Sequence, residues 1–137
     1  MELITTRLVK TSDVGFHGNL FGGKLAAWMD EAGAAFAAQV CDTPRVVTVL
    51  MEELVFNKPV RPNQLIKIYA AIDVIGNKSI TIKLEARKHN VHDGRQSNVC
   101  TTRLKFVRIN DDGEAVPVKR KKIAKKYNIT LDQLKQK

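Results

Sequence analysis

The chain has 137 residues, 44% of them hydrophobic, and a formal charge of +9, which bounds it to one small globular domain with a single modest core. No run of eighteen apolar residues is present for a membrane-spanning helix, and the stretch from Met1 to Arg7 lacks the basic-then-apolar layout of a signal peptide, so a cytoplasmic protein without membrane insertion is expected. Residues 119–137 hold eight bases against one acid, Asp132, which is +7 of the total, so the basic character belongs to a C-terminal extension and not to a nucleic-acid-binding core.

In chain order, residues 2 to 10 alternate well enough for a first strand. Residues 11 to 23 form a turn-rich stretch with four glycines, leading into a helix from about residue 22 to 40 that is rich in helix formers, above all Ala. β-rich stretches follow at about 46 to 57, 64 to 75, 78 to 90 and 95 to 109, with Gly76-Asn77 and His92-Asp93-Gly94 as turns. One strand, one helix and then four strands with short connections is an α+β order, because parallel crossovers need a dozen or more residues. The sheet is therefore expected to be antiparallel and to wrap the helix. Thr130, with Asp132 and Gln133 behind it, suggests a short helix in the basic tail.

Cys41 and Cys100 lack metal-ligand spacing and have no neighbouring base in the sequence, so they are expected as small core residues; no metal is expected.

Successive helical residues lie 100° apart, and the face centred on Asp30 holds Gly23, Ala26, Ala27, Gly33, Ala34 and Ala37. Leu25, Trp28, Met29 and Phe36 point away from it, toward the expected sheet. Asp30 is read in two ways, as an exposed or base-paired carboxylate, or as a general base or nucleophile in a pocket of small residues. Gly22 and Gly23 favour the second, because unpaired amides at a helix start suit a developing oxyanion.

The run His17-Gly-Asn-Leu-Phe-Gly-Gly-Lys-Leu-Ala-Ala-Trp-Met-Asp-Glu-Ala-Gly, with Val47-Thr-Val and Phe56-Asn-Lys-Pro-Val-Arg-Pro, resembles the hotdog acyl-CoA thioesterases, and most of all their YciA-like bacterial branch. The resemblance covers about residues 5 to 110. It implies a hotdog fold, with a long central helix wrapped by a five- to six-stranded antiparallel sheet over residues 1–118, followed by the basic extension 119–137. It also implies acyl-CoA hydrolysis without a cofactor, coenzyme A being part of the substrate. A homo-oligomer is implied, a dimer at least and commonly a trimer of dimers, with sites at the dimer interface.

Carried over by motif, Asp30 matches the catalytic acid, and Gly22 and Gly23 match the residues whose amides polarise the thioester carbonyl. Related enzymes often show Asn where this chain has Gly15, so one accessory hydrogen bond is expected to be missing. Asn19 is either a polar group near the site or a turn residue, and Thr48 either holds Asp30 or is an ordinary strand threonine. For coenzyme A, Gly76, Lys78 and Ser79 match the family's Gly-polar-Ser hairpin, and Arg61 and Lys88 are further phosphate candidates; each has a solvated surface role as its alternative. Two other functions remain open, a non-catalytic acyl-CoA-sensing module and a hotdog dehydratase or hydratase using His17, whereas His89 and His92 sit in no matching signature. Binding of the basic tail to the phosphates of coenzyme A is a secondary expectation.

Overall fold

A computed structural model describes residues 1–130. Five strands form one antiparallel sheet in the order β1-β3-β4-β5-β2: β1 (Glu2–Leu8), β2 (Val46–Phe56), β3 (Leu65–Ile75), β4 (Ser79–His89) and β5 (Gln96–Arg108). Helix α1 (Gly22–Cys41) connects β1 to β2, the two opposite edges, so the chain must cross the whole sheet to get from one to the other. It crosses as a helix on the concave face. The expected five or six strands are five among the described residues.

Alternation sets which side of each strand faces α1. Ile66, Ile68 and Ala70 of β3, Ile80, Ile82, Leu84 and Ala86 of β4, and Cys100, Leu104 and Phe106 of β5 are all buried, and meet Leu25, Trp28, Met29, Ala32, Phe36 and Val40 of the helix. Each fully buried large side chain contributes about 1.5–3 kcal/mol, so this contact dominates the fold. Gly33 lies at the closest approach. A Cβ there would sit 2.8 Å from Leu104 Cδ1 and 3.2 Å from both Leu84 Cδ1 and Phe106 Cζ. Gly33 and Ala37 are thus on the sheet side of α1, which corrects their expected place on a free face around Asp30; Asp30 lies at the border of the buried arc, and Ala26, Ala27 and Ala34 flank it on the open side.

α1 ends on Asp42, in the left-handed region (φ 54°), whose N–H donates to the Ala38 carbonyl. Beyond β5, helix α2 (Arg120–Tyr127) lies within the expected basic extension. Ile123 is buried in the core and the Tyr127 ring meets Phe36 edge-on at 6.2 Å. Lys122 and Lys126 both reach the Asp42 carboxylate at 3.2 Å. An acid at a helix C-terminus opposes the helix dipole, and the two ammonium groups offset that cost. The helix suggested from Thr130 onward lies outside the described residues. No helix among the described residues is long and apolar enough to cross a membrane.

Candidate active site

The loop before α1 is held by one residue that the sequence did not single out. Asp13 is only 4% exposed; its Oδ2 accepts the Lys10 N–H at 2.9 Å, and Oδ1 lies 3.7 Å from Lys24 Nζ. Its carbonyl accepts the N–H of Phe21, and Leu20 N–H donates to the Val60 carbonyl. The signal was a turn-forming Thr-Ser-Asp run, which gives no clue to burial. These bonds fix Phe21 as the N-cap of α1. Phe21 offers no capping oxygen, and the amides of Gly22 and Gly23 have no bonded acceptor among the described residues. Asn19 lies beside them: its carbonyl accepts the Gly15 N–H, and its side chain lines a cleft of about 570 Å³ with Gly15, Phe16, His17, Phe21 and Gly22.

Two turns along the helix, Asp30 is half-buried, and its Oδ1 accepts the Thr48 hydroxyl at 2.8 Å. Thr48 pairs with Phe106 on β5, just before an irregularity in β2 between Thr48 and Leu50. That register turns its hydroxyl toward α1. Among the described residues, Asp30 Oδ2 has no bonded partner. Seven residues separate Gly23 from Asp30, a rise of about 10 Å along α1.

Other candidate chemistry is weaker. Burial pushes the Cys100 thiol up to about 11, and desolvation also raises Cys41, which suits core residues and not nucleophiles. The His17 ring lies tilted by 40° against Phe16, centroids 3.9 Å apart, and bonds to no acid among the described residues. His89 meets Gln96 at 3.0 Å at the far end of the sheet. No group of three or more His, Cys, Asp or Glu could hold a metal among the described residues.

The family model of the thioesterase superfamily matches residues 17–94, which takes in the last part of the loop, all of α1, Thr48 and the hairpin candidates. The chain belongs to the thioesterase superfamily. Within that superfamily it is 30% identical over 122 residues to the acyl-CoA thioester hydrolase YciA of Escherichia coli, covering 85% of this chain and 92% of that protein. A hexameric hotdog fold thioesterase of Campylobacter jejuni superposes with a TM-score of 0.82 at 29% identity, covering 94% of this chain and 98% of that one. An acyl-CoA hydrolase from Staphylococcus aureus, solved with butyryl coenzyme A, coenzyme A and coenzyme A disulfide, superposes with a TM-score of 0.79 at 26% identity over 83% of this chain and 69% of that one. The architecture is therefore the hotdog fold.

The superfamily member's five coenzyme A candidates fall into two groups. Gly76, Lys78 and Ser79 form the β3–β4 hairpin, where Gly76 N–H donates to the Ser79 carbonyl. Lys88 stands at the other end of β4, beside the loop that carries Arg61. Nine residues of extended strand put Ser79 and Lys88 roughly 30 Å apart, so one copy does not bring the two groups together.

Proposed function

We propose that this chain hydrolyses acyl-CoA to a carboxylic acid and coenzyme A, with Asp30 as general base and the Gly22 and Gly23 amides as oxyanion donors, in a site shared by two copies. The observation that carries this reading is the Asp30 carboxylate fixed by Thr48 on the same helix that begins with two unbonded amides. A thioester is activated compared with an amide, so a base and an oxyanion hole suffice. Asp30 takes a proton from water and the hydroxide adds to the carbonyl carbon. The amides of the second copy stabilise the oxyanion as the C–S bond breaks, and the departing thiolate takes up the proton. Direct attack by Asp30 to form an anhydride is the variant.

The free edge of β2 supports the shared site. Val47, Val49, Leu50, Val55 and Phe56 are all 40–52% exposed along this edge strand, an arrangement that invites pairing with another chain. A two-fold through β2 would run the partner's strand antiparallel, setting the start of one α1 against the middle of the other. It would also set the Gly76-Lys78-Ser79 hairpin of one copy at the same end of the joined sheet as the Arg61 and Lys88 end of its partner. The hexameric state named for the Campylobacter protein fits three such dimers.

The deciding experiment is thiol release from a panel of acyl-CoAs by wild type and Asp30→Asn, after each is shown to be folded and assembled. Turnover by wild type with a loss of roughly 100-fold or more in the variant is expected for a removed general base. Wild type that binds acyl-CoA without hydrolysing it would instead make the chain a sensing module. Single turnover in heavy-oxygen water separates the two chemistries, since label in Asp30 sinks the general-base form.

A further inference from the structure

Five phenylalanines occur in the chain. Phe36 and Phe106 lie in the core, while Phe16, Phe21 and Phe56 are 96%, 60% and 50% exposed. All three exposed rings gather at the start of α1. The Phe56 ring lies 3.4 Å from where a Cβ on Gly22 would be, the Phe21 ring lies 2.7 Å from the same point on Gly23, and Phe16 lines the cleft that reaches Gly22. Apolar groups clustered in water mark a surface made for another apolar group.

Phe16 is presented and not merely exposed. A backbone bridge joins Val14 to Leu20, Gly15 N–H donates to the Asn19 carbonyl, and Gly18 N–H (φ 82°) donates back to the Gly15 carbonyl. These bonds close a tight loop whose tip is Phe16, braced by the His17 ring at 3.9 Å. We infer that the cleft of about 570 Å³ beneath this tip is the acyl-chain subsite, and that Phe16 is its specificity-determining wall. The inference rests on the thioesterase reading and extends it. A thioester held by its carbonyl oxygen at the Gly22 and Gly23 amides carries an apolar chain one bond away, and the exposed phenyl rings stand around those amides. Charged groups of coenzyme A have no such match here, since Lys24, the cleft's one lysine or arginine among the described residues, is already drawn to the buried Asp13.

The test measures kcat/KM for straight-chain acyl-CoAs from acetyl to palmitoyl with wild type, Phe16→Ala and Phe16→Leu, together with the mass of each assembly by light scattering. Because Phe16 contacts solvent, both variants are expected to fold. Phe16→Ala should lower kcat/KM about five- to tenfold for chains long enough to reach the ring, leave acetyl-CoA within about twofold, and Phe16→Leu should restore most of the loss. An equal loss at every chain length, or no loss at any, overturns the acyl subsite while leaving the thioesterase reading intact. A smaller assembly in Phe16→Ala overturns it too, making the ring a subunit contact. A wild type inactive on the whole panel sinks both readings.

Discussion

The carboxylate of Asp30 has one oxygen committed to Thr48 and the other unbonded, which divides positioning from chemistry within a single side chain. Thr48→Val keeps the shape and strand preference and removes only the bond. A hydrogen bond to a charged group is worth about 1.5–3 kcal/mol, so kcat should fall roughly tenfold or more while KM and the thermal midpoint stay nearly unchanged; an unaltered kcat would show that Thr48 does not orient the base. Glycines on the same helix separate by what surrounds them. At Gly33 an added Cβ meets Leu104, Leu84 and Phe106, all in the tightly packed core, whereas at Gly23 it meets only the half-exposed ring of Phe21. Gly33→Ala should therefore cost about 1–2 kcal/mol in denaturant unfolding, overpacking outweighing the better helix propensity of Ala, and Gly23→Ala should unfold near the wild-type midpoint. Equal midpoints for the two would contradict the close approach at Gly33. The Thr48 contact was legible because alternation in Val47-Thr48-Val49 fixes one inward residue. Gly33 was misplaced because 100° spacing gives direction around a helix but not how near the neighbouring sheet comes.

Strands and α1 were legible to within about two residues, since period-2 alternation and a long run of helix formers are strong, local signals; residues 78 to 90 were expected for β4, which runs Ser79–His89. α2 was not. Arg120–Tyr127 is mostly basic, and its inward signal is little more than Ile123 and Tyr127 at i and i+4, which charge obscured. Its docking has a pH signature. Hydrogen bonds from Lys126 and Lys122 hold the Asp42 carboxyl below its ordinary 3.8, and the bond to Asp42 raises Lys126 above its ordinary 10.5. A depressed carboxyl stabilises above its unfolded pKa and loses that contribution as pH falls through the folded one; a raised ammonium stabilises below its unfolded pKa and loses it as pH rises through the folded one. The clamp should hold between about pH 4 and pH 10.5 and loosen outside that window. Hydrogen exchange of residues 120–127, corrected for intrinsic rate, should show protection falling below pH 3.8 sooner than in α1, and falling with salt at neutral pH. Protection that is flat from pH 7 to pH 3 would assign the docking to Ile123 and Tyr127 alone.

For the whole molecule, the proposed dimer would duplicate each piece of the site and join amides of one copy to the carboxylate of the other. A rise of about 10 Å separates amides from carboxylate along α1, and roughly 30 Å separates the two groups of coenzyme A candidates along β4. A sequence can suggest candidate residues and still be silent on such a division, because the two-fold of the proposed dimer would lie outside any one chain. Assembly and activity should then fail together. Val49 is the residue to change, being 52% exposed on the free edge of β2 and left without a β5 partner by the irregularity between Thr48 and Leu50. A carboxylate placed there, in Val49→Asp, puts a charge on the apolar edge that the proposed dimer would pair, and its desolvation opposes pairing. Sedimentation should show the assembly dissociating toward the 15.3 kDa chain, with thiol release falling in proportion to the dissociated fraction and the circular dichroism of the monomer retained. A dispersed Val49→Asp monomer with wild-type kcat would place amides and base within one copy and overturn the proposed shared site.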